Sequence, residues 1–190
     1  MLSKIISWFW YNFSSEESAT PVRPQPLAGR KPAGAGMFQK MRDMQLRTPP
    51  SEMGLTAQAP DQIVIVCMEQ GLDNGAYSLR CFVDGTVSLY FTSGGAIIGV
   101  GQQDEGRQKG LAFLQAAEAF RPQFQPDTEL ALPTAGRTRF ILVRFDGTFS
   151  VEVATADLES GQSPLSPLFH LGHEVITVAR KLHESRTASA

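Results

Sequence analysis

The chain has 190 residues, 42% of them apolar, with a formal net charge of −2 at pH 7. That length holds one domain with an arm, not two full domains. The balance excludes broad nucleic-acid binding, which runs on clustered Lys and Arg. Residues 1–60 carry seven Lys and Arg against four Asp and Glu, whereas residues 61–190 carry ten against fifteen. A basic arm on an acidic domain suits a chain that meets another protein or an anionic surface.

Along residues 1–13, Leu2, Ile5, Ile6, Phe9 and Phe13 share one helical face, with Trp10 beside them. The apolar stretch is too short to span a bilayer and lacks a small-residue cleavage site. Aromatic-rich amphipathic helices of this kind lie in the membrane interface. The expectation is weak, reversible membrane-surface contact through residues 1–13, with Trp8 and Trp10 as interaction residues. Docking on the protein's own domain or on a partner competes with it.

Residues 14–51 read as a flexible basic linker, rich in Ser, Pro, Ala and Gly. A short Met-rich helix is predicted near 37–46, where Met37, Phe38, Met41 and Met44 recur at helical spacing. Lys40, Arg42 and Arg47 fall on other faces, and Pro49 and Pro50 stop the pattern. Met packs adaptably, so Phe38, Met41 and Met44 are candidates for partner contact. Covering a patch of its own domain is the alternative for this helix.

Residues 52–184 read as a single α+β domain, and 185–190 as a frayed tail. Residues 62–69 form an apolar β-branched run, a buried strand. Two hairpins then share an Asp-Gly-Thr turn, at 84–86 and at 146–148. At the first, a three-residue loop Val83-Asp84-Gly85 pairs Cys81 with Val87, Leu79 with Leu89 and Tyr77 with Phe91. One face is then apolar while Ser78, Arg80, Ser88 and Tyr90 take the other. The same loop at the second pairs Val143 with Phe149 and Ile141 with Val151, leaving Leu142, Arg144, Thr148 and Ser150 opposite. Helices are predicted over 104–120, capped by Asp104, and from Ser166-Pro167 onward. With a weak strand at 128–132, the order becomes two β-β-β-α half-repeats. They would form an antiparallel sheet of about six strands with two helices packed on one face.

Cys67 and Cys81 sit among aliphatic residues and read as buried thiols in a reducing compartment. The Gly-rich stretch from Ser93 to Gly101 precedes a helix, where such loops can cradle phosphates. Gly94, Gly95, Gly99 and Gly101 are therefore candidate ligand-binding residues. The stretch lacks the Lys-Ser/Thr of a P-loop, and Asp104 stands where a third glycine belongs. His170 and His173, three apart on a helix with Glu174 next, could join that loop at a ligand site. Their order differs from His-Glu-x-x-His, and no metal or cofactor is expected. Ser93, His170 and Asp157 lack the Gly-x-Ser-x-Gly setting of a nucleophile. Arg80, Tyr90 and Arg144, expected together on the outer sheet face, would form an interaction surface or a homodimer contact.

Residues 84–99 and 163–177 resemble a family of uncharacterised bacterial proteins. In that family a similar Asp-Gly-Thr hairpin and Gly-rich turn precede a helix, and a Pro-Leu-Ser-Pro-Leu-Phe segment opens the last helix. The resemblance spans about residues 52–184 and leaves out the arm. It implies a bacterial, cytoplasmic protein and carries over no catalytic residue. The expected function is a non-enzymatic interaction or accessory module, peripheral to the inner membrane through its arm. The alternative is a small-ligand-binding protein or enzyme using loop 94–101 with His170 and His173.

Overall fold

The computed structural model describes residues 33–188. The helix expected over 1–13, with Trp8 and Trp10, and the linker up to residue 32 lie outside them. Helix α1 spans Ala33–Arg47. Strands β1 (Ile63–Leu72), β2 (Gly75–Phe82), β3 (Val87–Phe91) and β4 (Ala96–Ile98) follow. A 3-10 turn at Val100–Gln102 leads into helix α2 (Asp104–Ala117), and a second at Glu118–Gln123 closes it. Then come β5 (Gln125–Pro126), β6 (Arg137–Arg144) and β7 (Gly147–Ala154). Helices α3 (Thr155–Glu159) and α4 (Ser166–Ala188) complete the order.

The strands form one seven-stranded antiparallel sheet in the order β4-β3-β2-β1-β6-β7-β5. The fold is α+β as expected, with seven strands where about six were predicted. The two halves are not equivalent: β1 pairs with the strand that follows it, whereas β5 pairs only with β7. Residues 128–132, expected as a strand, are loop, and the short β5 lies just before them. Helix α4 runs through 185–188, which were expected to fray. Helix α2 begins after Gln103, with Asp104 as its first residue and not its cap.

The first hairpin has the predicted register, from Tyr77–Phe91 to Cys81–Val87. Phe82 N–H donates to Thr86 O at 2.9 Å, and Gly85 takes the left-handed conformation at φ 85° that this loop needs. The second hairpin is shifted by one residue. Arg144 pairs with Gly147, Leu142 with Phe149 and Phe140 with Val151, around a two-residue turn at Phe145-Asp146. A one-residue shift exchanges the faces. Phe140 and Leu142 therefore join the helix-side core, while Ile141 and Val143 point to the other side. All four are buried, so alternation along β6 gave no guide to register.

Helices α2 and α4 pack on one sheet face, as predicted. Phe113, Leu114, Leu168, Phe169, Val175 and Ala179 meet Met68, Leu79, Cys81, Leu89 and Phe140 there. The second face is covered too. Leu46 and Met53 pack with Val64, Ile65, Cys67 and Phe82, and Phe38 and Met41 pack on Tyr90. Helix α1 is thus part of the domain. A bulge in β1 between Ile63 and Ile65 sends Ile63 and Val66 to the helix side and Val64 and Ile65 to the α1 side.

Close helix–sheet approach depends on glycine. A Cβ on Gly110 would lie 2.4 Å from Val87 Cγ2. Gly110→Ala gains about 1 kcal/mol of intrinsic helix propensity. Overpacking a filled core costs about 1–3 kcal/mol. The overpacking is expected to win, so urea denaturation of Gly110→Ala should show a lower midpoint with an unchanged slope.

Candidate functional site

The densest polar chemistry lies between α1 and the sheet. In β1, Glu69 is the one charged residue of a strand otherwise built from Ile, Val, Cys, Met, Gln, Gly and Leu, and it is fully buried. Burial of a carboxylate requires a partner. Arg42 of α1 supplies it through two parallel bonds, Nε to Oε1 and Nη2 to Oε2, each 2.8 Å. Burial alone lowers the Arg42 pKa; the bonds and charge of Glu69 more than offset this and raise it. Ser78 Oγ–H donates to Glu69 Oε1 at 3.0 Å and accepts from Arg80 Nε at 3.0 Å.

Arg80 is fully buried. Its Nη1 donates to Met41 O at 3.1 Å and to Gln45 Oε1, and its Nη2 has no partner among the described residues. Its guanidinium lies 4.7 Å from the centre of the Tyr90 ring. Gln45 Nε2 donates to Tyr90 Oη at 3.4 Å. Among the described residues, Glu69 is the one carboxylate hydrogen-bonded to either guanidinium. Two buried cations therefore face one buried anion.

This arrangement accounts for several expected interaction residues. Phe38, Met41, Arg80 and Tyr90 are buried inside the chain, and Met44 is half-buried against Phe38, Met41 and Tyr90. In this state none of the four buried residues can reach a partner. Arg144 does not join Arg80 and Tyr90. The shifted second hairpin puts it on the opposite face, 3.9 Å from the Phe149 ring centre and bonded through Nε to Asp146 Oδ1 at 2.8 Å. That bond holds the Asp146 carboxyl below its usual range. Arg42, expected off the apolar stripe, is 2% exposed and points at the sheet. Sequence reasoning missed Arg42, Gln45 and Glu69 as a group. The signal was Glu69, a lone carboxylate closing an apolar strand.

The candidate ligand residues are split. Gly94 and Gly95 form the β3–β4 turn, and Gly99 precedes the 3-10 turn that holds Gly101. A Cβ on Gly101 would stand 2.0 Å from Gly85 O, so this glycine is where the loop backbone meets the first hairpin. A shallow cleft of about 470 Å³ opens beside the loop, lined by Phe91, Gly94, Gly95, Ala96, Ile97, Arg180, His183 and Glu184. Arg186 Nη1 also donates to Ile98 O at 3.0 Å. The loop therefore faces the C-terminal end of α4. His173 lies ten residues earlier, about 15 Å along the helix axis.

His170 is exposed, while His173 is half-buried against Phe169, with ring centres 4.3 Å apart. His173 Nε2 lies 3.4 Å from Tyr77 Oη, which donates to Gln70 Oε1 at 2.5 Å. Burial lowers the His173 pKa; nearby Glu159 opposes this and His170 adds to it. Burial raises the Tyr77 phenol, and Glu159 raises it further. Burial likewise pushes the Cys67 thiol up to about 12, against an opposing pull from Arg80, and places Cys81 well above its ordinary value. Neither thiol is a thiolate near neutral pH. Among the described residues no group of three or more His, Cys, Asp and Glu is placed to hold a metal, and no helix is long and apolar enough to cross a membrane.

Compared with family models, curated proteins and solved structures, the chain gives no match.

Two outcomes follow from these geometries. Glu69→Gln leaves two buried guanidiniums without a counter-charge, and breaking such a pair costs about 3–5 kcal/mol. Arg42→Met leaves Glu69 beside Arg80, so its loss of stability in chemical denaturation should be smaller. A larger loss for Arg42→Met would contradict the charge count. His173, with its pKa below the ordinary 6.5, binds protons more readily in the unfolded chain. Its contribution to stability is present above that value and lost as pH falls through the folded pKa. His173→Gln should therefore reduce the drop in melting temperature between pH 7 and pH 5.

Proposed function

We propose that this chain is a non-enzymatic protein-interaction or accessory module of a bacterial cytoplasm, placed at a partner or membrane surface by its N-terminal arm. The observation that carries this reading is the docking of α1. Arg42, Gln45 and Leu46 seat the helix on the sheet, and Arg47 donates to Thr128 O and Glu129 O at 3.0 Å each. The aromatic segment 1–13 is thereby tethered to a folded body. The thiols and the most buried polar side chains are engaged in internal contacts, which also supports a binding role.

The test compares the full chain with its Trp8→Ser, Trp10→Ser double variant in sedimentation with phosphatidylglycerol vesicles. Co-sedimentation that the double variant loses is the expected result. Sedimentation of neither removes the membrane role and leaves a protein partner for the arm, and equal sedimentation of both removes Trp8 and Trp10 from it.

A second reading, a small-ligand site at the Gly-rich loop, is favoured by the cleft beside Gly94 and Gly95. Its polar wall is Arg180, His183 and Glu184, in place of His170 and His173. Thermal shift against a panel of small anions, with Arg180→Ala as control, checks it. A rise in melting temperature that Arg180→Ala abolishes is expected under this reading.

A further inference from the structure

We infer that the outer sheet face is a helix-binding groove that α1 occupies as an intramolecular stand-in, and that it fits a partner helix bearing an Arg followed three residues later by a carboxylate. The inference deepens the interaction-module reading and rests on it only for the existence of a partner. The groove has an apolar floor of Val64, Ile65, Cys67 and Phe82 and a charged end made by Glu69 and Arg80. Helix α1 satisfies one charge and not the other. Arg42 neutralises Glu69, while Arg80 donates to the neutral oxygens of Ser78, Met41 and Gln45 and its Nη2 has no partner among the described residues. A buried guanidinium is best met by a carboxylate, which accepts two of its N–H groups at once.

The charge count changes sign of preference when α1 leaves. Without Arg42, Glu69 and Arg80 balance each other, already bridged through Ser78 Oγ at 3.0 Å on each side. With α1 in place, one cation is in surplus. A helix with Arg at the place of Arg42 and Glu at the place of Gln45 would balance all four groups. Its Glu would stand where Gln45 Oε1 meets Arg80 and where the side chain reaches Tyr90 Oη. The chain's own helix thus carries the right residue at one position and an uncharged substitute at the other. Such an occupant holds the groove against weak competitors and yields to a better-matched one.

The test uses the full chain and a fluorescein-labelled peptide of residues 33–47, either unaltered or with Gln45→Glu. By anisotropy, the Gln45→Glu peptide should bind the wild-type chain roughly tenfold tighter than the unaltered one. Arg80→Met in the full chain should erase that preference. Gln45→Glu in the full chain should raise the melting temperature and block uptake of either peptide. The inference is overturned if the Gln45→Glu peptide is not taken up, if both peptides bind alike, or if the full-chain variant melts no higher than wild type. Vesicle sedimentation reads a different segment, so failure here and failure of the arm's role are told apart.

Discussion

Strand β1 is buried on both faces from Ile63 to Glu69, and this constraint governs how the rest of the chain is arranged. A strand at the centre of a sheet with two apolar sides needs a covering layer on each. Helices α2 and α4 provide one, with Phe113 and Phe169 over Met68. The other cannot come from the compact helical part of the chain, which is already committed. It comes from α1 and the segment after it, through Leu46 and Met53. Glu69 adds a second demand, because a carboxylate in this layer must meet a cation brought from outside the sheet. Arg42 answers it, so the pair fixes where α1 sits along the groove as well as that it sits there. Buried ion pairs add little net stability against apolar replacements, but removing one member costs a great deal. Position is therefore what this pair contributes.

Legibility in the sequence followed one-sidedness. The first hairpin was readable because Leu79, Cys81, Val87 and Leu89 alternate with Ser78, Arg80 and Ser88, and one register alone puts the apolar set on one side. The second carries the same Asp-Gly-Thr, and its β6 flanks β1 just as β2 does, but β6 does not alternate apolar with polar residues. Phe140, Ile141, Leu142 and Val143 are all apolar and all buried, so two registers satisfied the pattern equally. Contacts distant in sequence settled it. Asp146 N–H donates to Pro60 O at 3.0 Å, and Leu142 must enter the helix-side core. The role of α1 was half legible. Its Met and Phe spacing announced an apolar face, but Arg42 and Gln45 on that face look like solvent-facing residues until Glu69 and Arg80 are placed opposite them.

Glycine carried a similar ambiguity. A run such as Gly94 to Gly101 before a helix serves equally for holding an anion or for letting two backbones touch. The structure separates these uses within the one run. Gly101 is where the loop meets the carbonyl of Gly85, so the first hairpin and the start of α2 are locked together through it. Asp104 and Glu105 occupy the first turn of α2, where a bound anion would meet their charge. Gly94 and Gly95 lie away from that contact, at the turn that faces Arg180, His183 and Glu184. Any ligand chemistry of the loop belongs to this outer portion and to the end of α4.

The two regions of unmet or half-met polarity differ in kind, and the difference bears on function. Around His173, Tyr77 and Gln70, every group has a neutral partner, and Glu159 stands near enough to oppose the loss of the imidazole's proton. That corner is balanced and sits half open to water. Around Arg80 the balance fails inside a buried layer, where one of two cations lacks a carboxylate of its own. A fold that needed α1 only as a lid could use an apolar residue at position 80, as it does with Phe82 two residues on. The guanidinium there holds α1 through Met41 O and Gln45 Oε1, but Ser78 and Gln45 are weak substitutes for a carboxylate. It also makes the face selective for what covers it, since an apolar helix would leave Arg80 and Glu69 with only their bridge through Ser78. Selectivity of that sort goes beyond the placing of α1 that Arg42 and Glu69 achieve, and it serves a surface that distinguishes between occupants.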